Sequence, residues 1–259
     1  MHDFSSLEDR TVLITGGAGH IGSTLAEAFL SAGSLVATAD VLSNQSHGPT
    51  SHTSRHHHYL HDLAEPSGSA DLVDQVVERF GGLDIIVTTA SWMGTSTTPG
   101  WNVPFQEQDE SLWAEVMSVG VTTNFSLIKH AIPALSASGA GSVVLISSHY
   151  GFLAPQPAMY LDTGINNIAG YAASKGALTQ LARWLSTMMA PDIRVNSLSP
   201  GGVFRNQDSE FVRRYEERTP LGRMATEEDL IGPVLFLASD LSRYITGHDL
   251  VVDGGFSVW

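Results

Sequence analysis

The run Thr15-Gly16-Gly17-Ala18-Gly19-His20-Ile21-Gly22 constrains this 259-residue chain more than any other feature. An apolar strand pattern, Val12-Leu-Ile14, leads into it, and a helical pattern from Ile21 to Ala32 leaves it, stopping at Gly33. Glycines between a strand and a helix permit a tight turn and close backbone approach. The N–H groups at the helix start can then face a pyrophosphate. Gly16, Gly19, His20, Ile21 and Gly22 are therefore candidate nucleotide-binding positions.

The rest of the chain repeats that strand–helix rhythm. Apolar runs predict strands at Leu35–Ala39, near Tyr59-Leu60, and at Asp84–Thr88, Ser142–Ile146, Arg194–Leu198 and Leu250–Val252. Helical periodicity predicts helices over 70–80, 111–135 (ending near Pro133), 170–189 and 227–238. Alternating βα units with nearly continuous apolar strands imply an α/β fold of Rossmann type. It is a doubly wound parallel sheet with helices on both faces. No linker or composition shift divides residues 1–259, so one domain is expected.

Asp40 closes the second predicted strand. A carboxylate there accepts hydrogen bonds from a ribose 2′-hydroxyl and repels a 2′-phosphate. The following Val41-Leu-Ser-Asn44 holds no Arg or Lys, which favours NAD over NADP.

Tyr171 and Lys175 lie four residues apart in a predicted helix and emerge from one face. A tyrosine beside an ammonium is suited to proton transfer, because the positive charge favours the phenolate.

Composition excludes several alternatives. With 13 basic and 27 acidic residues the net charge is −14, which argues against nucleic-acid and anionic-membrane partners. There is no cysteine, so disulfides and thiolate metal sites are excluded. No apolar run reaches the ~18 residues of a membrane span. The first ten residues lack the basic and apolar regions of a signal peptide, so a cytoplasmic protein is expected. Histidines 52, 56, 57, 58 and 61 cluster. Neighbours on a strand point to opposite faces and cannot all ligate one ion. A surface loop and edge strand is the expectation there, with no metal.

With the glycine loop, Ser148, Tyr171 and Lys175 together, the chain resembles the short-chain dehydrogenase/reductase family over about residues 8–256. Further matches are Asp62-Leu63, Asn196 with Pro200-Gly201, and Tyr244-Ile-Thr-Gly-His-Asp-Leu-Val-Val-Asp-Gly-Gly255. The resemblance implies an oxidoreductase interconverting a secondary alcohol and a ketone. Tyr171 would be the acid/base. Lys175 would lower its pKa and hold the nicotinamide ribose, and Ser148 would bind the substrate oxygen. It implies cofactor contacts at Asp62, Leu63, Ala90, Pro200, Gly201 and Val203, and a homotetramer or dimer. The apolar ending Phe256-Ser-Val-Trp259 points to burial against a neighbouring subunit.

Four departures stand out. His20 takes the place of a glycine, and Thr88-Thr89-Ala90-Ser91 replaces the expected Asn-Asn-Ala-Gly. Gly120 stands where a catalytic Asn normally kinks the helix and holds a relay water. Asn124 lies one turn on, ~6 Å along the axis. The spacing from Ser148 to Tyr171 is enlarged by a substrate-loop insertion at about 150–169. Its Ser147-Ser148-His149-Tyr150-Gly151 and Met159-Tyr160-Leu161-Asp162-Thr163-Gly164 resemble oxidoreductases of polysaccharide synthesis and flagellin glycosylation. A polar, sugar-like small molecule is the expected substrate. Candidate contacts are Trp92, Met93, Tyr150, Gln156, Met159 and Tyr160, with Arg205, Gln207 and Arg213 from a closing segment at about 203–224. Arg213, Arg214 and Arg218, interleaved with glutamates, read as a solvated helix face. Two alternatives stay open: a small apolar or cyclic ketone as substrate, or a binding scaffold that has lost catalysis.

Overall fold

The computed structural model describes residues 4–43, 54–62, 64–65, 68–92, 94 and 98–259. His52, Leu63 and Met93 lie outside these. Seven strands form one sheet: β1 Thr11–Thr15, β2 Leu35–Asp40, β3 His56–Leu60, β4 Ile85–Thr88, β5 Gly141–Ile146, β6 Ile193–Pro200 and β7 Asp249–Val252. All pair in parallel, in the order β3-β2-β1-β4-β5-β6-β7. The order reverses between β1 and β4. In open parallel sheets, ligands bind beyond the carboxyl ends of the strands at such a reversal.

Strand alternation divides the core in two. Leu13, Ala37, Ile86, Val143 and Val195 point to one face. There α2 (Gly68–Phe80), α4 (Thr123–Ala137) and α6 (Ala169–Met189) cover them. Val12, Ile14, Val36, Val87 and Leu198 point to the other. That face is covered by α1 (His20–Ser31) and α8 (Glu228–Ala238). The strands are apolar throughout because both faces are buried.

The predicted helix over 111–135 is two helices, α3 (Glu110–Met117) and α4, joined by a π-turn at Ser118–Thr122. Pro133 does not end it. Burial of Leu127, Ala131 and Leu135 on one face carries α4 through the proline to Ala137.

The insertion folds as a short helix, α5 (Pro157–Tyr160), followed by a loop. It packs on α7 (Ser209–Arg218), and Met159 is buried with Phe211, Tyr215, Met224 and Phe256. Of the three α7 arginines Arg213 is exposed and pairs with Glu210 and Glu217, and the half-buried Arg214 also pairs with Glu210. Arg214 donates to the carbonyls of Ala158 and Leu161, tying α7 to the insertion. Arg218 lies over the Phe256 ring at 5.2 Å. Phe256 itself is buried within this chain, whereas Val258 and Trp259 are exposed. Only the last part of the tail is thus available to a neighbour.

Candidate active site

The glycine loop is built by close approach. Gly16 has φ +70°, a left-handed conformation, and a Cβ on it would lie 2.7 Å from the Ala90 nitrogen. A Cβ on Gly22 would lie 2.2 Å from the Gly16 oxygen, and one on Gly17 2.4 Å from Thr38 Cβ. Gly19 precedes α1 in extended conformation and provides no side-chain cap. With no side-chain cap there, the first turn of α1 can present backbone N–H groups to a ligand. Thr89, one of the departures, ties the loop to β4 by donating to the Thr15 carbonyl at 2.7 Å.

Asp40 ends β2 beside this loop. Its Oδ2 accepts the Ala18 N–H at 3.0 Å and its Oδ1 the Leu42 N–H at 3.0 Å. Each oxygen retains a lone-pair direction for a hydroxyl. A glycine cradle, an uncapped helix start and a carboxylate at the end of β2 together fit a dinucleotide. Asp62 follows β3, where its carboxylate caps a turn by accepting the Ala64 N–H. Pro200 ends β6. Gly201 bonds back to the Val252 carbonyl, and Val203 bridges to Ala225.

Ser148, Tyr171 and Lys175 meet at the carboxyl end of β5. Ser148 is buried, accepts the Tyr150 N–H at 3.2 Å, and lies close enough to the Tyr171 phenol to draw its pKa down. Helix α6 is seated there by Ser147, whose hydroxyl donates to the Lys175 carbonyl at 2.7 Å. Lys175 is 4 % exposed and donates from Nζ to the Ile146 carbonyl at 3.0 Å. Its Nζ stands 5.6 Å from the Tyr171 ring centroid.

The expected lowering of the Tyr171 pKa by Lys175 is not what this arrangement does. Burial raises the phenol, against the nearby Ser148 hydroxyl and the Arg205 charge, which draw it down. Burial also pulls Lys175 down, from 10.5 to about 8, so its charge is weakly held and directed at a carbonyl.

The candidate substrate residues divide. The hydroxyls of Tyr150 and Tyr160 hydrogen-bond each other, with Asn167 near Tyr160. Trp92 packs edge-on against Trp101 at 5.1 Å. Gln156 caps α5 through its backbone. Arg205 is paired to Glu227, with Nη2 to Oε1 at 2.8 Å. The Gln207 amide is committed to Val203 and Arg205, and Met159 faces the core. Asn167 and Tyr215 were not singled out from sequence. Tyr215 accepts the Gly202 N–H and so anchors the loop after β6. Its i, i+4 relation to Phe211 on a charged helix was the available signal.

A family model described as enoyl-(acyl carrier protein) reductase matches residues 16–257. A sorbose reductase of Schizosaccharomyces pombe is 31% identical, covering 99% of each chain. A probable galactose dehydrogenase of Rhizobium meliloti is 30% identical, over 97% of this chain and 96% of its own. A trans-4-hydroxycyclohexanecarboxylate dehydrogenase of Sinomonas cyclohexanicum is also 30% identical, over 95% and 92%. A short chain dehydrogenase from Leptospira borgpetersenii, solved with bound NAD+, superposes with TM-score 0.88. It is 31% identical and covers 99% of this chain and 96% of its own.

Proposed function

From the premise that this chain belongs to the short-chain dehydrogenase/reductase family, we propose that it interconverts a secondary alcohol and a ketone on a polar, sugar-like substrate, using NAD. The observation that carries this reading is the buried Lys175 Nζ, held by the Ile146 carbonyl and 5.6 Å from the Tyr171 ring centroid, with Ser148 beside the phenol. When bound, NAD accepts or supplies the hydride. The chain does the rest. Ser148 holds the substrate oxygen beside the Tyr171 hydroxyl. Tyr171 gives that oxygen a proton during ketone reduction and removes one during alcohol oxidation. Lys175 holds the nicotinamide ribose. The glycine loop, Asp62, Ala90 and the Pro200–Val203 segment contact the cofactor.

Asp40 supports NAD over NADP, since a 2′-phosphate would meet a carboxylate with no cation in 41–43. The sugar-like substrate is supported by the hydroxyl-rich insertion, with Tyr150, Tyr160 and Asn167, and by two relatives that bear sugar names. The likeness of the insertion to enzymes of polysaccharide synthesis and flagellin glycosylation points the same way. One relative acts on a cyclic hydroxy acid, which keeps a cyclic substrate as the second reading. A cytoplasmic homo-oligomer, dimer or tetramer, belongs to the same proposal. It is supported by large exposed apolar side chains on α3, α4 and α6, namely Trp113, Phe125, Trp184 and Met188.

The test is turnover of sugars, sugar acids and cyclic alcohols with NAD and NADP, by wild type and Tyr171→Phe. Tyr171-dependent turnover of sugars with NAD is expected. Turnover confined to cyclic alcohols would sink the sugar reading, and tighter binding of NADP would sink the cofactor reading.

A further inference from the structure

Two histidines of the cluster at the sheet edge have no part in the chemistry above. Thr38 on β2 pairs with His58 on β3. Strand alternation places His56 and His58 on one face and His57 with Tyr59 on the other. On the first face both imidazoles converge on a single hydroxyl. His56 Nε2 lies 3.0 Å and His58 Nδ1 2.9 Å from Thr38 Oγ1. The other ring nitrogen of His58, Nε2, lies 2.8 Å from the Leu42 carbonyl oxygen.

With both imidazoles neutral, that carbonyl fixes the direction of every bond in the chain. A carbonyl oxygen only accepts, so His58 Nε2 carries hydrogen. In neutral His58 the Nδ1 is then a lone pair, and the Thr38 hydroxyl must donate to it. The remaining lone pair of Thr38 Oγ1 faces His56 Nε2, which must also carry hydrogen. Both histidines are therefore Nε2–H tautomers, and the donors run His56 to Thr38 to His58 to Leu42. Thr38 is wholly buried and pressed on Gly17, so its hydroxyl has no room to move aside.

The chain ends on the residue that orients Asp40. Leu42 is held at its carbonyl by His58 and gives its N–H to Asp40 Oδ1. Its release would free one of the two bonds that aim the carboxylate. We propose that the His56–Thr38–His58 chain positions the ribose-binding carboxylate of Asp40, and so sets this protein's affinity for a nicotinamide dinucleotide with a free adenosine-ribose 2′-hydroxyl. The inference rests on the NAD reading of Asp40. It assigns positioning roles to Thr38 and His58 and makes no use of a metal.

Imidazole nitrogen NMR of the full chain tests the tautomers: Nε2–H is expected at both histidines, and an Nδ1–H tautomer at His58 overturns the proposal. Calorimetric titration with NAD tests the consequence. Thr38→Val and His58→Leu are each expected to weaken NAD binding about tenfold, the effect of one lost hydrogen bond. The KM for NAD should rise in step, while kcat at saturating NAD stays unchanged. Thr38→Ser, which keeps the hydroxyl, should restore affinity to within about twofold. A folded Thr38→Val or His58→Leu that binds NAD like wild type overturns the proposal, as does failure of Thr38→Ser to rescue. If Thr38→Val does not fold, His58→Leu at the sheet edge decides. A wild type that prefers NADP would instead refute the reading of Asp40 itself.

Discussion

The side-chain amide of Asn124 donates to the main-chain carbonyl of Gly120 at 2.8 Å, closing the π-turn between α3 and α4. The helix is therefore irregular at position 120 without the asparagine that the family resemblance led us to expect there. The carbonyl at that position has a fixed partner, supplied from one turn further along. Both residues are buried.

Asn124→Leu should accordingly cost about 1 kcal/mol of stability, the worth of one lost hydrogen bond. Gly120→Ala should be neutral or stabilising by up to about 1 kcal/mol. The new Cβ would lie 3.4 Å from Ser174 Cβ, an ordinary contact. Thermal or urea denaturation of the two variants checks both. Equal losses in the two would show that the space, and not the hydrogen bond, matters.

Lys175 separates stability from function. Its folded value, about 8, lies below the ordinary 10.5, so between these pH values the unfolded chain binds more protons. The stability contributed by this group therefore rises with pH from about 8 to about 10.5. Below about 8 the full burial penalty remains, at most about 3 kcal/mol. Lys175→Met should be at least as stable as wild type at pH 7 and show a weaker rise across the alkaline window. It should also lose turnover. Denaturation curves at several pH values, with an activity assay, check this. A variant markedly less stable than wild type would mean that the bond to Ile146 outweighs desolvation.

The fold was legible because both faces of the sheet are buried, so Val12-Leu-Ile14 or Ser142–Ile146 leaves a nearly continuous apolar signature. The family identification also rested on short motifs that pack locally: the glycine loop and the turn of α6 that carries Tyr171 and Lys175. What escaped depends on contacts distant in sequence. Nothing around Arg214 shows that its guanidinium reaches the carbonyls of Ala158 and Leu161. Nothing around Arg205 shows its pairing with Glu227. The sign of the Tyr171 shift also turns on packing that the sequence does not show. The spacing shows Lys175 on the same face, but not that burial dominates or that Nζ turns to Ile146.

That raised phenol has a directional consequence. At neutral pH Tyr171 is protonated and ready to act as an acid, which suits ketone reduction. Alcohol oxidation needs the phenolate. The kcat/KM for oxidation, which reports the free enzyme, should climb about tenfold per pH unit across the neutral and mildly alkaline range. The kcat/KM for reduction should be nearly flat there. Tyr171→Phe should remove both profiles while NAD binding persists. An oxidation profile that levels off near pH 7 would show a phenol pulled down, contrary to this environment.

The glycines of the first loop should fail in two different ways. Gly22 is internal to the loop's packing, since its Cβ would sit 2.2 Å from the Gly16 oxygen, and backbone cannot yield that far. Gly19 has an ordinary φ of −77°, and its Cβ would meet only the Gly16 oxygen, at 3.2 Å. Gly22→Ala should therefore unfold the protein or lower its stability by several kcal/mol, on the order of an overpacked core. Gly19→Ala should stay within about 1 kcal/mol of wild type. It should still weaken NAD binding by about tenfold or more, since the methyl enters the space from which N–H groups approach the pyrophosphate. Melting temperatures and NAD titrations of the two variants separate the roles. A folded Gly19→Ala that binds NAD normally would place the pyrophosphate away from Gly19.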